Sequence, residues 1–130
     1  MQRVDIAKHE TEVILDRHHL TDNDARCLVA LIGEGHVTKL MLGKNELGDD
    51  AAVALASCLE TNRTLVCLGL ASNHIGDRGA MALAKMLVGN TALRSLFMFD
   101  NLITTPAVQA LETANAARSE PMCGLTGLII

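Results

Sequence analysis

Residues 65–87 read LVCLGLASNHIGDRGAMALAKML, in which Leu65, Leu68 and Leu70 precede Asn73 and Ile75. The same spacing recurs once upstream and once downstream, each time at an offset of 28 in the numbering. The matching residues are Val37, Leu40, Leu42, Asn45 and Leu47 upstream, and Leu93, Leu96, Met98, Asn101 and Ile103 downstream. A fixed period of this size is typical of stacked supersecondary units and not of one globular core.

Weaker copies of the signature flank these three. Val13, Leu15 and Leu20 match the second copy at an offset of 27, with His18 in place of the asparagine. Leu125, Leu128 and Ile130 restore the leucine spacing after an offset of 32. We therefore predict one domain with an N-terminal extension (1–10), four repeats (about 10–36, 37–64, 65–92 and 93–120) and a terminal strand (125–130).

Between the strand signatures, apolar residues follow the spacing i, i+3, i+4, i+7, which makes one apolar helix face. They are Ala25, Leu28, Val29 and Ile32, then Ala52, Leu55, Ala56 and Leu59, then Ala80, Leu83, Ala84 and Leu87. In the fourth unit Glu112 and Asn115 break this pattern. That helix is expected either to pack least well or to be rotated so that Ala107, Leu111 and Ala114 face inward.

The predicted helix boundaries also repeat. Asp49 and Asp77 each follow a glycine, where a carboxylate can accept N-terminal backbone N–H groups. In the fourth unit Thr104 or Thr105 caps the helix, with Pro106 in the first turn. Three residues that tolerate the left-handed helix C′ conformation follow the helices at the same period, namely Gly35, Asn62 and Asn90.

These residues resemble the ribonuclease-inhibitor-type leucine-rich repeat, LxxLxLxxNxxGxxGaxxLaxxL, which residues 65–87 match closely. The resemblance implies an α/β solenoid with parallel strands on the concave face and α-helices on the convex face. It also implies that Asn45, Asn73 and Asn101 form a structural ladder by hydrogen-bonding the backbone between units, from which His18 departs. Such families include intracellular receptors, a GTPase-activating protein for a small nuclear GTPase, actin-filament cappers and secreted bacterial effectors, all of which bind proteins.

Because side chains alternate along a strand, the repeat assigns the outward positions to columns. The columns are Glu12, Lys39, Cys67 and Ser95; Ile14, Met41, Gly69, Phe97 and Ile129; Asp16, Gly43, Ala71 and Phe99; and Arg17, Lys44, Ser72 and Asp100. Both phenylalanines of the chain therefore point to the concave face. A contiguous apolar column there usually marks an interface with a partner or a second copy. The alternative is that the residues after Ala116 fold back and cover the rings.

The sequence thus predicts a non-catalytic module that binds a protein partner on its concave face. The predicted binding residues are Phe97, Phe99, Met41, Ile14, Lys39, Lys44, Arg17 and Asp100. One alternative is a GTPase-activating or effector-type regulator that uses the repeat surface. Another is a self-assembling structural solenoid, and the apolar C-terminal strand further suggests a homodimer through strand addition.

The composition argues against several other classes of protein, namely nucleic-acid-binding, membrane-spanning and signal-peptide-bearing proteins. The chain has 130 residues, 49% of them apolar, a net charge of −4 and no Trp or Tyr, so a basic groove with stacking aromatics for nucleic acid is missing. No apolar run approaches the roughly 20 residues that span a bilayer, and the charged N-terminus does not resemble a signal peptide. The four cysteines form no CxxC pair. We expect a cytoplasmic protein, or a secreted effector that acts in a host cytosol.

Catalytic, metal and cofactor sites are not predicted. His18, His19, Asp22 and Asp24 lie close in sequence but match no zinc spacing, and HExxH, GxSxG and phosphate-loop motifs do not occur. Cys67 in the column of Lys39 could be a nucleophile, because a nearby ammonium favours the thiolate. It has no paired histidine or acid in the neighbouring columns, so a structural thiol is the preferred interpretation.

Overall fold

The computed structural model of the chain describes residues 11–122 and 127–130. The strands are β1 (Glu12–Ile14), β2 (Lys39–Met41), β3 (Cys67–Gly69), β4 (Ser95–Phe97) and β5 (Leu128–Ile129), and the helices are α1 (Ala25–Gly33), α2 (Asp49–Leu59), α3 (Asp77–Gly89) and α4 (Thr105–Ala116). A short 3-10 turn, Asp22–Asp24, precedes α1. The predicted extension (1–10), Cys123 and the first residues of the predicted terminal strand (125–126) lie outside the described residues.

The five strands form one parallel sheet in the order β1-β2-β3-β4-β5. Their register follows the sequence repeat, since Lys39 pairs with Cys67 and Cys67 with Ser95. The longer final step of the repeat is also confirmed, because Phe97 pairs with Ile129. The sequence-derived columns are therefore columns of neighbouring side chains on adjacent strands.

The core lies between this sheet and the helices. In each of the first four units the central strand residue and the apolar residue two positions later point inward and are almost fully buried, as Leu40, Leu42, Leu68 and Leu70 are. Burial of a side chain of this size contributes about 1.5–3 kcal/mol. One glycine is dictated by helix packing: a Cβ at Gly79 would lie 2.8 Å from the Cβ of Ala52. Helices α2 and α3 therefore approach as closely as small residues allow.

Helix α4 adopts the rotated orientation. Its buried residues are Ala107, Leu111 and Ala114, while Glu112 is exposed and Asn115 is only partly buried. Asn115 nevertheless contributes a structural contact, because its side chain bonds both the carbonyl and the N–H of Met122. The polar residues that broke the apolar pattern thus include one that holds the chain following the helix.

The asparagines of the strand signature lie in the loops after β2, β3 and β4 and link neighbouring units. The amide nitrogen of Asn73 donates to the carbonyls of Leu42 in the preceding unit and Leu70 in its own, at 3.0 and 3.1 Å. Its oxygen accepts from the backbone N–H of Leu47 at 3.0 Å. Asn45 and Asn101 make the equivalent bonds one unit to either side. Each amide therefore satisfies backbone groups that the turning chain would otherwise bury without partners.

The helix-start carboxylates act across units, which their position in the sequence does not indicate. Asp49 Oδ1 accepts from the N–H groups of Gly76 and Gly79, at the start of α3 and not of its own helix α2. In the same way, Asp22 Oδ1 accepts from the N–H groups of Gly48 and Ala51 at the start of α2. Asp77 Oδ1 accepts from the N–H of Thr104 at the start of α4. The Asp77 carboxyl has a lowered pKa because the side chain and backbone of Thr104 hydrogen-bond to it. Each unit therefore caps the next one.

Two of the three predicted left-handed helix ends are wrong. Gly35 has φ +81°, but Asn90 is extended at φ −95° and Asn62 is not left-handed either. Both asparagines instead use their side chains: Asn90 Oδ1 accepts from Ala92 and Leu93, and its nitrogen donates to Leu59 in the preceding unit. A second inter-unit asparagine contact thus lies before the strands, where side-chain hydrogen bonds to local backbone compete with the left-handed cap.

Within residues 11–122 and 127–130, no helix combines the length and the apolar character that crossing a bilayer requires.

Candidate functional site on the open sheet face

The side of the sheet that faces away from the helices, called here the open sheet face, holds the predicted binding residues. It corresponds to the predicted concave face. Ile14 is 62% exposed and Phe99 is 47% exposed, whereas Met41 and Phe97 are half-buried. Arg17, Lys44 and Asp100 are exposed and Lys39 is half-buried. All eight residues thus reach the surface on one face, with Ile14 nearest the first edge of the sheet.

The strand ends share an unusual backbone conformation. Arg17, Lys44, Ser72 and Asp100, the last column, have φ values of 60°, 56°, 57° and 59°. Residues other than glycine rarely adopt this left-handed region, which costs about 1 kcal/mol each. The chain turns here from strand into the asparagine loop, so this column follows the sheet directly in each of the four units.

The centre of the open sheet face is a shallow groove of about 320 Å³. Small residues leave this space, because the second and third columns contain Gly69 in β3 and Gly43 and Ala71 just after β2 and β3. The tip of Met41 lies over Gly69, where a Cβ would come within 2.5 Å of the Met41 Cε. Met41 thus covers part of the groove floor with a flexible side chain that can shift.

The phenylalanines form one wall of this groove. Phe97 and Phe99 border it together with Met41, while Asp16, Lys44 and Ser72 also line it. The exposed fraction of Phe99 argues against the alternative in which the chain after Ala116 covers both rings. An apolar wall beside small residues leaves room for an inserted side chain, which is the arrangement that favours protein contacts.

The charged groups around the groove divide into bonded and unbonded ones. Asp16 Oδ1 accepts from the backbone N–H of Gly43 at 2.8 Å, and Asp100 Oδ2 accepts from the Ser72 hydroxyl at 2.9 Å. Arg17 and Lys44 form no salt bridge with any described residue. Asp16 and Asp100 therefore stabilise contacts between units, whereas Arg17 and Lys44 are exposed and take part in no ion pair among the described residues.

The environment of Cys67 does not favour its thiolate form. Burial raises the pKa of its thiol, and this effect outweighs the opposing charge of Lys39 and the hydrogen bond from Ser95. The thiol is thus the dominant form at neutral pH, which is unsuited to a nucleophile. Among the described residues, no group of three or more His, Cys, Asp or Glu side chains is arranged to hold a metal ion.

The exposed columns could be predicted from the sequence. The groove, the left-handed column and the carboxylate caps between units were not predicted. The signal for the groove was present, since Gly43 and Gly69 occupy outward positions where the fourth unit has Phe99 and Phe97. The signal for the carboxylate caps was also present, because Asp22, Asp49 and Asp77 repeat at offsets of 27 and 28.

Comparisons with known proteins support the fold. Residues 36–56 and 61–84 match the leucine-rich repeat family model. A comparison with curated protein sequences gives no match.

Two solved structures superpose well on this chain. The structure named Leiomodin-1 Actin-Binding Site 2 matches with a TM-score of 0.78 and 23% identity, covering 85% of this chain and 66% of that one. The tropomodulin C-terminal domain of Caenorhabditis elegans matches with a TM-score of 0.75 and 14% identity, covering 87% of this chain and 71% of that one. This chain therefore spans just under two thirds of the leiomodin-1 chain.

At these identities the likeness concerns the fold alone, and it agrees with the alternating parallel strands and helices. The chain therefore has the α/β fold of a leucine-rich repeat solenoid, and residues 36–56 and 61–84 match the leucine-rich repeat model.

Proposed function

We propose that this chain is a non-catalytic protein-interaction module that binds its partner on the open sheet face. The observation that carries the proposal is the groove wall formed by Phe97 and Phe99, in a chain with no other Phe, Tyr or Trp. Exposed aromatic side chains contribute disproportionately to interface energy because they bury a large area at a low entropy cost. Met41 and Ile14 extend this apolar surface.

The charged residues are proposed to set the partner's orientation. Arg17, Lys39 and Lys44 lie on the first two units, whereas Asp100 lies on the fourth. A partner with the opposite distribution of charge would align with the sheet in only one direction. Such rim charges mainly affect the association rate and specificity.

The test is the double variant Phe97→Ala plus Phe99→Ala. Its matched control is Met81→Ala plus Val88→Ala, which removes two exposed apolar side chains from α3, on the helix side. Affinity purification with mass spectrometry should recover a partner with the wild type and the control but not with the phenylalanine variant. Equal recovery by a phenylalanine variant that is folded by circular dichroism would reject the proposal.

Actin is the first purified protein to test as a partner, because one of the structures that share this fold is an actin-binding site of leiomodin-1. Cosedimentation with filaments and native gel shifts with monomeric actin would detect binding to either form. A failure to bind actin would leave the interaction module intact and direct the search to other proteins.

The repeat subtype and the location belong to the same proposal. The offset of 27 or 28 between units and the helices α2 to α4, with 11 to 13 residues each, favour the ribonuclease-inhibitor subtype of the repeat. We place the protein in the cytoplasm, either of its own cell or of a host. Its described cysteines, Cys27, Cys58 and Cys67, are free thiols.

A GTPase-activating role is less favoured as an alternative. It would require several acidic groups available on the contact surface, but Asp16 and Asp100 already accept hydrogen bonds from neighbouring units, which leaves the exposed Glu12 on the first strand. Stimulated GTP hydrolysis that survives the phenylalanine double variant would favour this alternative over the leading proposal.

Self-association is the second candidate, and β5 favours it. This strand lies at the edge of the described sheet, and Leu128 and Ile130 border a cavity of about 520 Å³ that polar Glu112 and Asn115 also line. An edge strand with unpaired backbone groups can pair with a second copy. Sedimentation velocity at high micromolar concentration should then show a dimer, and a monomer there would exclude strand addition.

A further inference from the structure

The groove on the open sheet face differs from a flat apolar patch because its floor is built from small residues, with only the flexible tip of Met41 over part of it. Gly43 and Ala71 lie beside Gly69, and the wall rises at Phe97 and Phe99 on the next unit. The depression therefore results from residue size at equivalent repeat positions, while the backbone register continues unchanged through it.

The size of the depression limits what can enter. Its volume of about 320 Å³ lies at the lower end of the range of ligand pockets, which is about 300–1,000 Å³. It can accept one bulky side chain with its flanking atoms but not a folded element. The flexible tip of Met41 over Gly69 can adjust to different apolar shapes.

The charge next to the groove indicates what should flank that side chain. Arg17 and Lys44 occupy the same column on adjacent units, and strands in a sheet lie about 4.8 Å apart. Neither cation has a salt bridge with a described residue. Asp16 is the acid among the residues that line the groove, and its Oδ1 already accepts a hydrogen bond from the Gly43 N–H.

On the other side of the groove, the two side chains of the same column form a hydrogen bond with each other. The Ser72 hydroxyl donates to Asp100, so these two side chains bond each other across adjacent units. An incoming carboxylate would therefore meet two adjacent cations and the hydrogen-bonded Asp16 on the side of the first two units, and the hydrogen-bonded Asp100 without a neighbouring cation of the same column on the opposite side. The arrangement selects both the sign of the partner's charge and its position relative to the inserted side chain.

We propose that the groove receives one bulky apolar side chain of a partner segment whose neighbouring acidic residue contacts Arg17 and Lys44. This inference deepens the proposed function and rests on it, since it names the chemistry of the partner at that surface. The partner segment is thus acidic and carries an exposed Leu, Ile, Met or Phe.

Gly43→Leu tests the groove without removing either phenylalanine. A Cβ at Gly43 would meet its nearest neighbours, Asp16 Oδ1 and the Ala71 carbonyl, at 3.4 and 3.5 Å, which are ordinary contacts. The backbone there tolerates a side chain, since its φ is not positive. The matched control is Gly33→Leu at the end of α1, where a Cβ would meet nothing within 4 Å.

Lys44→Glu tests the charge, because it reverses the sign of the side chain at the left-handed position. Its control is Lys85→Glu, which places the same charge change on the exposed surface of α3. A partner carboxylate should be repelled only by the first variant, and the repulsion should weaken as salt screens it.

The probe is a phage-displayed library of random dodecapeptides, selected on the wild-type chain and resynthesised for titration. We expect the recovered peptides to share a bulky apolar residue with an acidic residue a few positions away. Their dissociation constants should rise about tenfold or more with Gly43→Leu, which excludes the apolar side chain. They should rise about three- to tenfold with Lys44→Glu at low salt, and the two controls should bind like the wild type.

Three results would overturn the inference: no enrichment of any peptide, enriched peptides without acidic residues, or binding that Gly43→Leu leaves unchanged. The Phe97→Ala plus Phe99→Ala variant separates this failure from that of the proposed function. If the peptides need the phenylalanines but tolerate Gly43→Leu, they do not bind in the groove, and the proposed interface still stands. If they tolerate the loss of both rings, the open sheet face is not the interface.

Discussion

The asparagine ladder and the groove lie on neighbouring parts of the same repeats, but they differ in how strictly the repeat is kept. The ladder position is asparagine in three successive units, and each amide bonds the backbone of the unit before it. At the outward position of β2, β3 and β4 the residue changes from Met41 to Gly69 to Phe97 while the strand register stays fixed.

The difference follows from what each side chain must satisfy. A buried amide has donors and acceptors that require partners, so its chemical type is fixed by the backbone around it. An outward strand residue faces solvent and must satisfy nothing in the chain itself. Variation is therefore possible on the open sheet face, and a concentration of apolar variants there requires a reason beyond folding.

The largest expected effect comes from Asn73→Ala in the ladder. Asn73 is 4% exposed, and its side chain bonds backbone groups of Leu42, Leu47, Leu70 and Ala71. Its loss leaves buried backbone groups unpaired, which should lower the free energy of unfolding by about 3 kcal/mol.

Asn101→Ala is the matched comparison for that prediction. Asn101 bonds the same kinds of groups but is only partly buried, so water can replace some of its bonds. Urea denaturation should show a smaller loss for Asn101→Ala than for Asn73→Ala. Equal losses would contradict the role assigned to burial in the ladder.

An intermediate effect is expected for Asp49→Ala, because each carboxylate caps the helix of the following unit. Asp49 accepts from Gly76 and Gly79 at 2.8 and 2.9 Å. Loss of this cap should cost about 1–2 kcal/mol. Asp50→Ala, at the next position, removes only an ion pair with Arg78 that solvent surrounds, and it should have little effect on stability.

Thermal unfolding of Asp49→Ala and Asp50→Ala compares how much each carboxylate contributes to stability. If Asp50→Ala were as destabilising as Asp49→Ala, then the carboxylates would act through their own helix starts, as their place in the sequence indicates, and not across units.

The smallest effect has the opposite sign. Lys44→Gly removes a side chain from a residue with φ 56°, which relieves left-handed strain. The higher backbone entropy of unfolded glycine offsets part of this gain, so we expect stabilisation of about 0.5 kcal/mol. In contrast, Lys85→Gly inside α3 should destabilise by about 1 kcal/mol.

Lys44→Gly also separates stability from binding, because it removes one of the two cations beside the groove. We expect a variant that unfolds at a higher denaturant concentration but binds the selected acidic peptides more weakly. That result would assign the strain to the backbone of this position and the binding to its ammonium group. Destabilisation by Lys44→Gly would contradict the strain argument.

Much of the fold could be predicted from the sequence because the repeat determines several properties at once. The spacing of Leu65, Leu68 and Leu70 predicted a strand with two inward side chains, and the constant period predicted its parallel neighbours. Counting apolar positions left two possibilities for α4, a poorly packed helix or a rotated one, and the structure selects the rotation that buries Ala107, Leu111 and Ala114.

Other features depended on contacts between units, which a single repeat does not contain. Asp49 looks like a cap for its own helix, and only the stacking of units brings it to the start of α3. Asn62 and Asn90 look like left-handed helix ends, but their side chains find backbone partners that replace such ends. The groove required the volumes of residues on three units together, so the exposed columns were predicted and the depression between them was not.

Hydroxyl-radical footprinting of the free chain and its partner complex can locate the bound partner, because methionine and phenylalanine side chains are readily oxidised when solvent reaches them. The proposed interface predicts that binding lowers oxidation of Met41 and Phe99 and leaves Met81, which is 44% exposed on α3, unchanged. Protection of Met81 with unchanged oxidation of Met41 and Phe99 would place the partner on the helix side and contradict the account.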